Sequence, residues 1–277
     1  MRRPGRRRGA ALPRPVGQIP GRAEIYPALT LALPARAKLN LELEVLQRRE
    51  DGFHEIRTTF QAIELHDLLE IAPAEKTSLT TTGLTVTNAD SVLNAHAAIE
   101  QATNRELPVR FRLHKRIPPG SGLGGASSDA ATTLRGIAVL YGLDVDLAPI
   151  AAQLGADVPF FLKGGKAMAQ GRGERLTQLP DELAWFAIAW PRIELSTADV
   201  YQAWDDVKGE LPNQLRRAAE LVEPRLRDLA HTLGPEWQMT GSGSAFFVRC
   251  QTQQEAAALT AGKELWTAVT RAIGPWA

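Results

Sequence analysis

The chain has 277 residues, 44% of them hydrophobic and 23% charged, which is enough for one large domain or two ordinary ones and excludes a wholly disordered protein. A single cysteine, Cys250, excludes an intrachain disulfide and fits a reducing compartment. No uninterrupted apolar run is long enough to cross a bilayer, so no membrane partner is expected. We expect a cytoplasmic protein that is a monomer or a homodimer, with a plastid-like organelle as the alternative location.

The net charge of +1 is unevenly distributed along the chain. Residues 1–22 carry seven arginines and no acid, which leaves 25 basic against 31 acidic residues in the remainder. A body with an acidic excess is a poor nucleic-acid binder, because such binding depends on neutralising phosphates. Residues 1–27 are rich in arginine, proline and glycine and lack the apolar segment of a secretory signal, so they are predicted to form an unstructured, dispensable tail.

The first predicted elements in chain order are strands. Residues 35–46 alternate between apolar side chains and a polar series that includes Lys38 and Asn40, which predicts a strand whose polar face meets solvent or a cleft. The segments that follow are strands over 56–72 and 78–87, a helix over 91–103 and a strand over 109–113.

A second helix follows the glycine-rich stretch of residues 118–128, since apolar residues recur at helical spacing from Ala130 to Tyr141 and Gly142 ends the series. Asp146 is predicted to cap a short helix that stops at Gly155. The remaining elements are a strand near 184–190, helices near 198–207 and 213–232, a strand near 244–249 and a helix near 253–271. This order predicts a mixed α/β protein of two halves, divided near residue 172, with a cleft between them.

The glycine-rich stretch is the strongest local signal for a ligand. Four glycines in six positions let backbone N–H groups converge on an anion, and the following helix adds unpaired N–H groups and the positive end of its dipole. Ser127 and Ser128 are expected to cap that helix or to offer hydroxyls to phosphate or to a metal. The stretch consists of Pro118, Pro119, Gly120, Ser121, Gly122, Leu123, Gly124, Gly125, Ala126, Ser127 and Ser128.

Two common phosphate loops do not fit this stretch. A dinucleotide-binding fold needs a hydrophobic strand directly before the first glycine, whereas Pro118 and Pro119 stand there. A Walker A loop needs a lysine where Ala126 stands. A phosphate loop of another type is therefore indicated.

Three motifs in order resemble those of the galactokinase/homoserine kinase/mevalonate kinase superfamily. The glycine-rich stretch is similar to its ATP-binding motif, residues 34–41 resemble its N-terminal motif, and residues 239–247 resemble its C-terminal glycine-rich loop. The resemblance implies an α/β chain with the α+β two-domain fold of these kinases and an active site in the cleft. It implies a ribosomal-protein-S5-domain-2-like ATP-binding domain over residues 28–172 and a ferredoxin-like α+β domain over residues 173–277.

Two further segments resemble one branch of this superfamily, the 4-diphosphocytidyl-2-C-methyl-D-erythritol kinases of the non-mevalonate isoprenoid pathway. Residues 49–54 are similar to its Asp-Gly-Tyr-His stretch, in which an aromatic ring stacks on cytosine and a histidine bonds the edge of the base; Phe53 and His54 stand at those positions. Residues 155–161 resemble its Gly-Ala-Asp-Val-Pro segment. Without the resemblance, residues 51–54 would indicate only a hairpin turn and a buried phenylalanine.

The resemblance implies transfer of the γ-phosphoryl of ATP, with Mg²⁺, to the 2-hydroxyl of a cytidine-diphosphate-linked methylerythritol. Asp157 would orient and deprotonate this hydroxyl, while Lys38 and Asn40 would bind it. The resemblance also implicates Thr197, Gly241 and Gly243 in binding the substrate. Lys115 would contact ATP, and the alternative is that it is a surface lysine ahead of the loop. His66, His96, His114 and His231 lack metal-ligand spacing, and no protein metal site is expected.

Three segments depart from the branch. Phe53 replaces a tyrosine, and Asp90-Ser91 replaces an adenine-binding asparagine-leucine pair. Of an Asn-Asp-Leu-Glu pattern, only Asn213 and Leu215 remain. The alternatives are a homoserine or mevalonate kinase of the same superfamily and a nucleic-acid-binding protein that uses the arginine-rich tail.

Overall fold

The structure is a computed structural model that describes residues 29–85 and 90–276. The predicted tail of residues 1–27 and the end of the strand predicted over 78–87 lie outside the described residues. Among the helices of the described segments, none combines the length and apolar character needed to span a bilayer.

The first part of the chain builds a six-stranded sheet covered by helices. The elements are β1 (Leu31–Arg48), β2 (His54–Pro73), β3 (Ser78–Gly83), α1 (Asp90–Thr103), β4 (Val109–Lys115), α2 (Gly125–Tyr141), α3 (Leu147–Leu154), α4 (Val158–Lys163), β5 (Lys166–Gly171) and β6 (Arg175–Leu179). The order is β3-β4-β2-β5-β6, and β1 pairs with β2. The apolar faces of α1, α2, α3 and α4 pack with β2, β4 and β5 in one buried core.

The second part builds a four-stranded antiparallel sheet with helices. Its elements are β7 (Trp185–Trp190), α5 (Thr197–Val207), α6 (Arg216–Val222), α7 (Arg225–Leu233), β8 (Gln238–Met239), β9 (Phe246–Cys250), α8 (Gln253–Thr260) and β10 (Trp266–Arg271). The order is β10-β7-β9-β8. A further apolar cluster, with Leu39 and Ile63 from the first sheet and Phe186 and Phe247 from the second, joins the two parts.

The mixed α/β architecture of two parts is confirmed, and the division near residue 172 stays a prediction. Asp146 caps α3 by accepting a hydrogen bond from Ala148 N, as predicted. Gly142 terminates α2 in the left-handed conformation, also as predicted.

Other element predictions were wrong. The helix predicted over 213–232 is two helices, because Pro224 starts α7 and cannot continue α6. The helix predicted over 253–271 ends at Thr260, and Trp266–Arg271 is instead a strand paired along β7. The strands β5 and β6 and the helix α4 were not predicted, because their short apolar runs carry no clear period.

Candidate active site

A cleft of about 980 Å³ brings the sequence motifs together. Its walls come from β1, the hairpin turn between β1 and β2, the glycine-rich loop, α5 and the second glycine-rich loop at residues 240–244. Most of the residues singled out from the sequence line this cleft: Lys38, Asn40, Phe53, His54, Lys115, Pro118, Pro119, Gly120, Ser121, Gly122, Gly124, Gly125, Ala126, Ser127, Asp157, Thr197 and Gly241.

The two glycine-rich loops touch each other through their backbones. Ala245 N donates to Ser121 O at 3.0 Å, and Ser244 N donates to Gly120 O at 3.3 Å. Gly122 has a φ of +79°, and a Cβ there would lie 2.2 Å from the Thr240 carbonyl oxygen. The left-handed conformation and the close approach together require glycine at this position.

The glycine-rich loop leads directly into α2, whose N-cap is Gly124 with a φ of +76°. Capping by Ser127 or Ser128 was wrong, since both side chains lie inside the first turn, after the helix has begun. The first turn still directs its N–H groups towards the cleft, as an anion site requires. Ser128 Oγ is buried and has no hydrogen-bond partner within the described residues.

Three of the predicted residues are not among the residues that line the cleft. Leu123 is fully buried in the apolar cluster that joins the two sheets. Ser128 lies behind the first turn of α2, and Gly243 packs near Met239 and Leu195. Leu123 O nevertheless accepts a hydrogen bond from Lys38 N at 2.9 Å, so the glycine-rich loop is fixed directly to β1.

Lys38 is buried at the centre of the cleft wall and faces several oxygen atoms. Its Nζ donates to Asn40 Oδ1 and, at 2.8 Å, to Gly122 O, and it lies 3.6 Å from Asp157 Oδ2. Burial lowers the pKa of the Lys38 ammonium, while the Asp157 carboxylate partly restores it. The polar face of β1 thus meets a cleft and not open solvent.

Asn40 is held rigidly beside Lys38. Its Nδ2 donates to Thr58 Oγ1 at 2.8 Å, and its backbone N donates to Thr240 Oγ1 at 2.9 Å. The first bond uses one of the two N–H donors of the side-chain amide and fixes its orientation, so that Oδ1 accepts from Lys38 Nζ. Asn40 therefore connects the first strand to the second glycine-rich loop.

Asp157 occupies the N-cap position of α4 but makes no capping hydrogen bond with its side chain in the described structure. The carboxylate is 31% exposed and opens into the cleft next to the Lys38 ammonium. A carboxylate that is spared from capping and paired with a buried cation is available to accept a proton from a bound hydroxyl.

Lys115 is not the surface lysine that the sequence left open. It is buried. Its Nζ contacts the Asp67 carboxylate and donates a hydrogen bond to Asp129 Oδ2 at 2.7 Å. Asp67 also accepts the backbone N–H groups of Arg116 and Ile117, so it holds the chain just before the glycine-rich loop. Burial, opposed by Lys115, raises the pKa of Asp129 to about 7. The sequence analysis missed both aspartates.

Phe53 and His54 follow the hairpin turn and differ sharply in exposure. Phe53 is 54% exposed at the cleft, with the Arg172 guanidinium 4.9 Å from its ring centroid, so the alternative of a buried Phe53 was wrong. His54 is buried, and its ring stacks on Tyr201 with centroids 5.1 Å apart. Its Nε2 lies 2.8 Å from Asp205 Oδ1.

The sequence analysis also missed Tyr201 and Asp205. Thr197 begins α5, and these two residues follow at intervals of four, so all three share one helical face. This spacing was the signal available. Burial raises the pKa of the Tyr201 hydroxyl, and the nearby Asp157 charge adds to the shift.

The second glycine-rich loop is held by side chains. Thr197 Oγ1 lies 2.9 Å from Ser242 Oγ. Asn213 Nδ2 donates to the carbonyl oxygens of Met239 and Gly241 at 2.7 and 2.9 Å. Asn213, retained from the branch's pattern, is thus a support for the loop. Ser91, one of the departures from the branch, lines the cleft.

Residues 29–85 and 90–276 contain no cluster of three or more histidine, cysteine or acidic side chains arranged for a metal ion. The hydroxyl and carboxylate groups that line the cleft beside the glycine-rich loop include those of Ser127, Asp129 and Asp157. Among the described residues, Ser128 Oγ and Asp129 Oδ1 are buried without a hydrogen-bond partner. Such hydroxyl and carboxylate oxygens fit Mg²⁺, which takes few protein ligands when phosphates supply others.

Comparisons with known proteins show the family to which the chain belongs. Residues 90–165 match the family model of the GHMP kinases N terminal domain. A protein of Shewanella woodyi named 4-diphosphocytidyl-2-C-methyl-D-erythritol kinase is 37% identical over 82% of this chain and 88% of its own length. A Pseudomonas putida protein of the same name is also 37% identical, over 82% and 86% of the two chains.

Solved structures show the same relationship. A crystal structure of a 4-(cytidine 5'-diphospho)-2C-methyl-D-erythritol kinase superposes with a TM-score of 0.73 at 34% identity, covering 88% of this chain and 100% of the other. Homoserine kinase from Cytophaga hutchinsonii superposes with a TM-score of 0.62 at 19% identity, covering 89% and 95%, which is a likeness of fold.

Proposed function

The chain belongs to the 4-diphosphocytidyl-2-C-methyl-D-erythritol kinases, and we propose that its cleft transfers the γ-phosphoryl of ATP to the 2-hydroxyl of 4-diphosphocytidyl-2-C-methyl-D-erythritol. This reaction belongs to the non-mevalonate route to isopentenyl diphosphate. The observation that carries the proposal is the separation of 3.6 Å between Lys38 Nζ and Asp157 Oδ2, beside a glycine-rich loop at the start of a helix. That arrangement supports the proposal of a proton acceptor and a cation beside the phosphates of ATP.

Asp157 is the proposed acceptor of the hydroxyl proton. It is partly exposed to the cleft, so a substrate hydroxyl can reach it. Phosphoryl transfer has a loose transition state, so orientation of the hydroxyl contributes more than its early deprotonation.

Lys38 is the proposed stabiliser of charge on the transferring group. Its ammonium is fixed by Asn40 and Gly122 and cannot rotate into solvent. A preorganised cation in a water-poor site stabilises the transition state more than a mobile surface lysine would. The same ammonium would hold the acceptor hydroxyl together with Asn40.

The glycine-rich loop from Pro118 to Ser128 is the proposed site of the ATP phosphates. Its positive-φ glycines expose backbone N–H groups, and α2 adds the positive end of its dipole. Mg²⁺ would neutralise phosphate charge there, and Ser127 and Asp157 are the proposed protein ligands among the residues that line the cleft. Lys115, held by Asp67 and Asp129, supports the approach to the loop.

The cytidine end of the substrate is proposed to lie between Phe53 and α5. Phe53 offers an exposed aromatic ring at the cleft, and the stacked rings of Tyr201 and His54 also line it. Aromatic faces bind any base by stacking, whereas a fixed ring nitrogen distinguishes one base edge from another. Thr197 and Gly241, which line the cleft, are the proposed contacts of the substrate's diphosphate. Gly243 belongs to the same loop as Gly241 but packs near Met239 and Leu195.

The test is ATP turnover by the full chain with 4-diphosphocytidyl-2-C-methyl-D-erythritol, homoserine or mevalonate as the acceptor. We expect turnover with the cytidine-linked acceptor alone. Turnover with homoserine or mevalonate instead would retain the phosphoryl-transfer site and overturn the assignment of Phe53 and His54 to cytosine. No turnover with any acceptor would overturn the proposed reaction.

A further inference from the structure

Asp205 fixes one nitrogen of the His54 ring. We propose that Asp205 is a positioning residue that selects the Nε2–H tautomer of His54 and so makes the site prefer cytosine to uracil. The inference rests on the proposed function, since it specifies how that site recognises its base. It assigns a role to a residue of α5 that no sequence motif indicated.

The His54 ring is held on three sides by α5. One face stacks on Tyr201, with an interplanar angle of 27°, and Trp204 packs edge-on with centroids 5.5 Å apart. Nε2 lies 2.8 Å from Asp205 Oδ1. The ring therefore has one defined orientation, and its hydrogen-bonding pattern depends on which nitrogen carries the proton.

The second ring nitrogen, Nδ1, remains open to the cleft. It has no hydrogen-bond partner among residues 29–85 and 90–276, and it is not among the fully buried unpaired polar atoms of those residues. His54 also lines the cleft directly after Phe53. A base stacked on Phe53 can therefore present its edge to Nδ1.

The charge on Asp205 determines the tautomer. The hydrogen bond from His54, with the nearby cations Arg48 and Lys208, lowers the pKa of the Asp205 carboxyl. Arg48 Nη1 lies 3.3 Å from Asp205 Oδ2 and leaves Oδ1 to the histidine. An ionised carboxylate only accepts hydrogen bonds, so Nε2 carries the proton in its contact with Asp205. In this tautomer of the imidazole the lone pair is at Nδ1.

A lone pair at Nδ1 distinguishes the two pyrimidines. Cytosine presents an amino group at C4, which donates to the lone pair, whereas uracil presents a carbonyl oxygen there. Two facing acceptors repel each other and leave both groups unpaired. Discrimination of this kind reaches about 10⁴-fold where a site is built for a particular donor.

The experiment measures dissociation constants of cytidine diphosphate and uridine diphosphate for the full chain and for Asp205→Asn. An asparagine amide can donate to Nε2, which moves the imidazole proton to Nδ1 and favours the uracil carbonyl. We expect the preference for cytidine diphosphate to fall by at least about tenfold in Asp205→Asn, consistent with the loss of one base-edge hydrogen bond. The exposed neighbouring variant Asp206→Asn should keep the wild-type ratio.

Nitrogen-15 NMR of the histidine rings supplies a second readout that needs neither nucleotide nor turnover. The His54 signals are assigned from their absence in His54→Gln, and folding of each variant is checked by circular dichroism. Nε2 should be protonated in the wild type and lose its proton to Nδ1 in Asp205→Asn.

Protonation of Nδ1 in the wild type would overturn the inference. An unchanged ratio of the two dissociation constants in a folded Asp205→Asn would also overturn it. If both constants rose by the same factor, Asp205 would be a structural support without a role in base preference. The proposed kinase reaction is tested separately by turnover, so it can fail while the tautomer assignment stands.

Discussion

Lys38 Nζ lies 3.6 Å from Asp157 Oδ2, although the two residues come from the first strand and from the start of α4. Lys38 is 4% exposed at its side chain and Asp157 31%. The pair is therefore asymmetric: a buried cation is fixed by the protein, and its anionic partner reaches into the cleft. This asymmetry suits a fixed electrostatic group beside a carboxylate that exchanges a proton with substrate.

Replacement of Asp157 by asparagine should lower kcat much more than it raises KM. The amide preserves the shape of the side chain but cannot accept the hydroxyl proton, and loss of a general base costs about 10²–10⁴-fold. Steady-state kinetics of phosphoryl transfer measure the effect. The exposed variant Asp228→Asn should behave like the wild type. A kcat within about threefold of the wild type in Asp157→Asn would contradict the proposed role.

Replacement of Lys38 by methionine should lower kcat strongly while changing the free energy of unfolding little. Kcat should fall by about 10²-fold or more because a preorganised charge is lost. The free energy of unfolding should change little, since burial already lowers the pKa of the Lys38 ammonium and a buried charge carries a large desolvation cost. Urea unfolding and kinetics are compared with the exposed variant Lys76→Met. Strong destabilisation without loss of kcat in the folded fraction would assign Lys38 to the fold alone.

Replacement of Gly122 by alanine should damage both the phosphate loop and its contact with the second loop. The Cβ would meet Thr240 O at 2.2 Å, and the φ of +79° adds backbone strain. We expect a several-fold rise in the KM for ATP and a lower melting temperature. Gly142→Ala is the matched control, because its φ of +55° brings strain while nothing lies within 4 Å of its Cβ. Equal behaviour of the two variants would show that the loop contact is unimportant.

The buried group of Lys115, Asp67 and Asp129 should make stability depend on pH. Burial raises the pKa of Asp129 to about 7 from 3.8, so the folded state binds more protons than the unfolded state between these values. The free energy of unfolding contributed by Asp129 is therefore greatest below about pH 4 and decreases as the pH rises through about 7. Asp129→Asn removes this titration.

Urea unfolding from pH 5 to pH 8 measures the free energy of unfolding of the wild type and of Asp129→Asn at each pH. The wild type should lose more stability over this range than the variant does. Parallel pH dependence in the two proteins would mean that Asp129 does not hold a proton in the folded state.

Deletion of residues 1–27 should leave turnover unchanged. Among residues 29–85 and 90–276, the lining of the cleft begins at Lys38 and contains all the residues proposed for catalysis. Turnover is measured beside binding of a double-stranded oligonucleotide at two salt concentrations. A deletion that spares oligonucleotide binding but abolishes turnover would contradict the prediction, and a full-length chain that binds the oligonucleotide without any turnover would favour the nucleic-acid-binding alternative.

The motifs could be predicted from the sequence because each is defined by contiguous residues. A dense glycine cluster before an apolar helical stripe predicts an anion site, whatever the rest of the chain does. Likewise the alternation around Lys38 predicts a strand with a polar face, and Asp146 predicts a helix start. These features depend on local geometry, and the structure confirmed the elements that carry them.

Elements with weak periodicity could not be predicted in the same way. Trp266–Arg271 reads equally well as helix or strand, and its pairing with β7 decides the outcome. Pairing partners are distant in sequence, so no local pattern identifies them.

By itself the sequence determined the order of the motifs, the position of the glycine-rich loop before a helix, and the superfamily resemblance. Only the tertiary structure decided the environment of each side chain. Lys115 is buried between two aspartates, and His54, at the start of β2, contacts Asp205 of α5. The physical reason is that burial, charge pairing and ring orientation depend on groups brought together by folding. The residue types that carry the chemistry are local, whereas their protonation and orientation come from contacts across the whole chain.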